Sequence, residues 1–215
     1  MATKQKSAGR SQRRSQSKKD SLGGSDLLML ELQEIYSAES QLARVMPRVI
    51  KAAEAEGLQQ MLEQRMEQGA QLIEDLEAAF EEMEASPGRK KNVAAEGLIN
   101  DLREHIQEIE AGPALDAVLI AGIQKTEHYC IAAWGTSRAL AKAMGIESVV
   151  ESMERALKEG KELDEQLTQL AEQEITPALM ADEDAEDAAE EEESEGEQAS
   201  SRSRRGSGSE RRAPH

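Results

Sequence analysis

The stretch LLMLELQEIYSAESQLARVMPRVIKAA, residues 27–53, decides the fold. Leu28, Leu32, Ile35, Leu42, Met46, Val49 and Ala53 stand on a 4-3-4-3 ladder, the spacing of one stripe of an α-helix. The central rung, position 39, is a glutamate. Gly23-Gly24 precede the ladder, with Ser25 or Asp26 placed as N-cap, and Gly57 closes it. Pro47 inside the run predicts a kink.

The pattern repeats downstream. Leu58, Leu62, Leu72, Leu76, Phe80 and Met83 form a second ladder with positions 65 and 69 as interior rungs, ended by Ser86-Pro87-Gly88. A shorter stretch, about 92–111, carries Val93, Leu98, Leu102, Ile106 and Ile109. Gly112-Pro113 breaks the chain and sets Pro113 at a first helical position. The fourth helix runs to about Met144 with Ile120, Ile123, Trp134 and Ala141 on its seam, and Gly145 caps it. The last starts near Glu147 with Val149, Met153, Ala156, Leu163, Leu167 and Leu170. The first and fourth helices are each about 31 residues, or ~46 Å. Four long helices with matched seams, and a short middle one as crossover, predict an all-α four-helix bundle.

Composition agrees. Of 215 residues 38% are hydrophobic but only 2% aromatic, which argues against a sandwich or barrel. No apolar run reaches membrane-spanning length and no signal-peptide core is visible, so a cytoplasmic protein is expected. A single cysteine, Cys130, excludes a disulfide framework and a multi-cysteine zinc site. The net charge of −17 is uneven. Residues 1–25 hold seven Lys or Arg and one acid, residues 182–197 hold eleven acids and no base, and residues 198–215 hold five Arg and Glu210. The middle alone carries −16. With almost no large apolar side chains, the ends bury too little surface to offset the entropy of ordering. The expected organisation is a disordered basic arm (1–25), a helical bundle (26–176) and a disordered acidic, then Arg/Ser-rich, tail (177–215).

Chemistry lies where the seams fail to be apolar. Glu39, Arg65, Gly69, Glu127, Cys130 and Gly160 all occupy rungs near the middles of their helices. Antiparallel packing brings such positions to one level, and converging carboxylates in a bundle core mark a di-iron or di-manganese site.

These residues carry a family resemblance. Ile35-Tyr36-Ser37-Ala38-Glu39-Ser40-Gln41-Leu42 resembles the opening helix of the bacterial YciE/YciF ferritin-like family, as does Glu96-Gly97-Leu98-Ile99 its middle helix. Gln124-Lys125-Thr126-Glu127-His128-Tyr129, with Ile131-Ala132 and Gly135, is similar to its fourth helix. Asp164-Glu165-Gln166-Leu167-Thr168-Gln169-Leu170-Ala171 is similar to its last. The resemblance spans roughly 26–176. It implies a ferritin-like bundle, commonly a homodimer, linked to stress responses and often supposed to hold a carboxylate-bridged metal pair. Residue by residue, Glu39 and Glu127 match that pattern. The family's histidine falls at Arg65, and its following glutamates fall at Gln68 and Cys130. On the last helix the seam position is Gly160, with Glu159 beside it.

A guanidinium cannot bind a cation, and two buried carboxylates need a counter-charge. The expectation is therefore a degenerate site in which Arg65 pairs Glu39 and Glu127, with no resident cofactor and no turnover. The alternative is a ferroxidase-like or iron-handling protein using iron or manganese at Glu39, Glu127 and Glu159. His128 points about 100° off the seam, and His105 is expected in solvent. Cys130 reads as a small buried hydrophobe; Tyr36 and Tyr129 read equally as neighbours of the carboxylates or as core packing. The basic arm offers weak phosphate contacts to DNA or self-association with 182–197; no protein partner is named by the sequence.

Overall fold

A computed structural model describes residues 21–183; the basic arm up to residue 20 and the tail beyond 183 lie outside the described residues. Five helices follow in order: α1 (Gly24–Ala52), α2 (Glu56–Glu82), α3 (Val93–Glu108), α4 (Pro113–Met144) and α5 (Glu147–Leu170). Side-chain pairs give the directions. Tyr36 reaches Glu77 and Glu39 reaches Arg65, so α1 and α2 are antiparallel. Arg155 pairs with Asp75 and Ser148 with Glu82, so α2 and α5 are antiparallel. Gln124 bonds Thr168 while Arg138 faces Glu154, so α4 and α5 are antiparallel too. It follows that α2 and α4 run parallel, and a parallel pair needs a crossover. α3 is that crossover and lies over α1 and α4.

The core has two apolar halves with one polar level between them. Val45, Val49, Leu58, Leu62, Leu119, Ile123, Leu163 and Leu167 belong to one half. Leu28, Leu32, Leu76, Phe80, Trp134, Ala141, Val149 and Met153 belong to the other. Along each long helix the gap between the halves falls at 39, 65–69, 127 and 160.

Several boundaries differ from the sequence reading. The N-cap of α1 is Gly23, whose N–H donates to the Asp26 carboxylate at 3.0 Å, so Asp26 caps from three residues inside rather than from the cap position. α1 ends at Ala52, and Gly57 sits in the first turn of α2. No side chain of α2 caps its start. Asp116, 2% exposed on α4, accepts from the N–H groups of Glu54 and Ala55 at 2.9 and 2.8 Å instead. α2 stops at Glu82, before Ser86-Pro87-Gly88. Glu84 takes a left-handed φ of 52°, and Ala85 N–H donates to the Phe80 carbonyl at 2.8 Å, a Schellman closure at a non-glycine. In α3 the buried residues are Ala95, Ile99 and Leu102, while Val93 is 77% exposed.

The largest difference is at the end. Helix continues past 176 through residue 183, crossing Pro177 by a π turn over Ala171–Ile175. Proline lacks the N–H and crowds the carbonyl four residues back, Gln173, so a widened turn there relieves the clash. Ile175, 3% exposed, anchors this turn to the core.

Candidate functional site

Glu39, Arg65 and Glu127 meet at the polar level. Arg65 Nε donates to Glu127 Oε1 at 2.5 Å, and Arg65 Nη2 donates to Glu39 Oε1 and Oε2 at 3.0 and 3.1 Å. Glu39, Arg65 and Glu127 are all buried, at 1%, 3% and 0% exposure. The Arg65 guanidinium also lies 5.8 Å from the centroid of the Trp134 ring.

Two glycines make room for this centre. A Cβ on Gly69 would stand 2.7 Å from Arg65 Nη1 and 3.0 Å from Glu39 Oε2. A Cβ on Gly160 would stand 2.6 Å from Trp134 Cζ3 and 3.1 Å from Glu127 Oε2. The two glycine rungs are therefore the spaces into which the arginine and the indole fold.

The electrostatics follow from burial. Desolvation would lower the pKa of Arg65, but Glu39 and Glu127 outweigh it and hold the guanidinium well above the usual arginine value. Burial pushes the Glu127 carboxyl up, Glu39 adds to the effect, and Arg65 opposes it. One cation faces two carboxylates, and Glu127 Oε2 is buried without a hydrogen-bond partner. Glu127 Oε2 is thus the atom of this centre with room to carry a proton. Burial and the same two carboxylates push the Cys130 thiol well up, which makes it a poor nucleophile.

The other residues singled out from sequence lie apart. Glu159 and Gln68 line a small cavity of about 10 Å³ beside Arg65, Trp134 and Arg155, the space of roughly one water. Tyr36 donates to Glu77 at 2.7 Å and meets Phe80 edge-on, and Tyr129 accepts from Asn92 at 2.6 Å, so neither hydrogen-bonds the carboxylates of the centre. His128 faces Asp164 on the exposed side of α4 at 3.3 Å. His105 is half-buried rather than solvated, with Nδ1 covered.

Among the described residues no group of three or more His, Cys, Asp or Glu side chains is placed to hold one metal ion. The donor set at the polar level does not fit a carboxylate-bridged metal pair either. Its two carboxylates already bind a permanent cation that offers only donors. Iron or manganese would have to displace Arg65 from both carboxylates.

The sequence pattern described as Domain of unknown function (DUF892) matches residues 24–180. Protein YciF of Escherichia coli (strain K12) is 37% identical over 147 residues, covering 68% of this chain and 89% of that protein. The crystal structure of the E. coli stress protein YciF superposes with a TM-score of 0.66 at 36% identity, covering 69% of this chain and 94% of that one. YcfI from Rhodopseudomonas palustris superposes with a TM-score of 0.65 at 33% identity, over 68% and 94% of the two chains. Among the described residues no helix is long and apolar enough to cross a membrane. With the pattern matched from the first turn of α1 to beyond the π turn, the chain belongs to the DUF892 family and is similar to YciF in both sequence and fold.

Proposed function

We propose that this chain is a stress-associated bundle protein of the YciF type whose polar centre is an ion-paired structural layer rather than a metal site. It acts through its shape and its contacts with partners, not through turnover. The single observation carrying this reading is Arg65, which takes both carboxylates that a metal pair would need. The stress association rests on the likeness to the E. coli stress protein YciF.

The test is metal analysis of the purified full chain after incubation with Fe(II) or Mn(II) and gel filtration. The reading expects no metal retained in proportion to protein. Two tightly held ions per chain would overturn it. On the same reasoning, Arg65→His replaces the guanidinium with a donor between the two carboxylates and raises retained metal.

A further inference from the structure

An unassigned groove lies between α1 and the α2–α3 loop. It measures about 310 Å³ and is lined by Arg44, Arg89, Lys90 and Lys91, with Tyr36 and Ser40 among the remaining walls and, among the described residues, no carboxylate. Four cations in one groove stand out on a domain carrying −16. Among the described residues Lys90 pairs with Glu34 at 3.5 Å and Lys91 with Glu96, while Arg44 and Arg89 form no ion pair.

The loop is held in place. Asn92, 5% exposed, fixes it to the bundle at several points. Its N–H donates to Ser37 Oγ at 2.9 Å, and its side chain donates to the Glu34 carbonyl at 3.0 Å. Its carbonyl accepts from Gln41 at 3.0 Å, and its side-chain oxygen accepts the first amides of α3 at 3.1 Å. The cations of residues 89–91 are thus carried by an anchored backbone facing α1, so less ordering is needed when an anion arrives.

We propose that this groove binds a phosphorylated small molecule, with the guanidinium groups of Arg44 and Arg89 taking the phosphoryl oxygens and the two lysines completing the charge. Guanidinium forks match phosphoryl oxygens in pairs, which suits two arginines that have no carboxylate partner among the described residues. The rim sets the size. Glu34, Glu77 and Glu96 stand beside Lys90, Tyr36 and Lys91, so a long polyanion would meet carboxylates that a small anion avoids.

The experiment is an amide NMR titration of the full chain with sodium pyrophosphate, with sodium chloride at matched ionic strength as control. Saturable shifts confined to residues 36–44 and 87–92 are expected. Arg44→Ala with Arg89→Ala should weaken them at least about tenfold, and Arg44→Lys with Arg89→Lys less. Equal thermal midpoints would show that both variants fold. Shifts that sodium chloride reproduces, that survive in the alanine variant or that fall elsewhere overturn the proposal. So does tighter binding of a short DNA duplex at the same residues. Carbodiimide cross-links from Lys90 or Lys91 to the acids of 184–197 in the unliganded chain would overturn it as well, by showing the groove filled by the chain itself.

Discussion

Replacing Arg65 with methionine keeps most of the volume and removes the only cation among the described residues that is hydrogen-bonded to Glu39 and Glu127. Breaking a buried pair from one side leaves uncompensated charge, so Arg65→Met should cost about 3–5 kcal/mol at neutral pH by urea denaturation. The loss should shrink in acid, as Glu127 protonates. Glu127 gives a second, signed prediction. Its folded-state pKa lies above the ordinary 4.5, so the folded chain holds that proton more tightly than the unfolded one. The stability it contributes is present in acid and lost as pH rises through the folded value. Glu127→Gln is neutral throughout, so its urea midpoint should fall less than the wild type's as pH rises above the ordinary carboxylate value of 4.5. Parallel curves would show that the carboxyl titrates normally. At this scale the sequence exposed the positions, because a charged residue on an apolar rung breaks a pattern. It did not expose Glu127 Oε2 as the unpartnered atom, since that depends on where Gly160 lets Trp134 lie.

Helix packing turns on small residues whose role spacing alone cannot grade. Gly160 and Gly135 both interrupt helices, yet only Gly160 faces a neighbour inside van der Waals contact, and nothing lies within 4 Å of a Cβ on Gly135. Gly160→Ala should destabilise by about 1–3 kcal/mol through overpacking. Gly135→Ala should stabilise by about 0.5–1 kcal/mol through helix propensity. Thermal unfolding of the two variants side by side checks both signs, and a shared sign would refute the packing argument. The helix ends were the least legible elements for a related reason. α2 begins without a capping side chain of its own, and Asp116, some sixty residues on, instead holds the entry to it by accepting from the N–H groups of Glu54 and Ala55 just before its first residue. It ends on a left-handed glutamate where a reader looks for glycine. Propensity describes neighbours in sequence, and these caps come from neighbours in space.

For the whole molecule, an ion-paired centre predicts indifference to chelators. The thermal midpoint of the full chain should be the same with and without excess EDTA, because a ligand bound only to the folded state would raise it by mass action. A lower midpoint in EDTA would show that a metal contributes to the fold. The two apolar halves should also unfold together, since every long helix contributes to both.

The sequence by itself determined the bundle. Apolar rungs every three or four residues can be buried only by packing helix on helix, and a central break in four ladders places the polar residues at one level whatever the details of packing. Gly112-Pro113 and Gly145 marked the limits of α4 because they act on their own backbone. The tertiary structure decided the rest. It sent α3 across the bundle, carried the last helix past Pro177 on a π turn, and left Glu159 beside a small cavity outside the ion-paired centre. It also set four cations around one groove on an acidic domain. Each of these depends on distances between residues far apart in the chain, which a one-dimensional pattern does not encode.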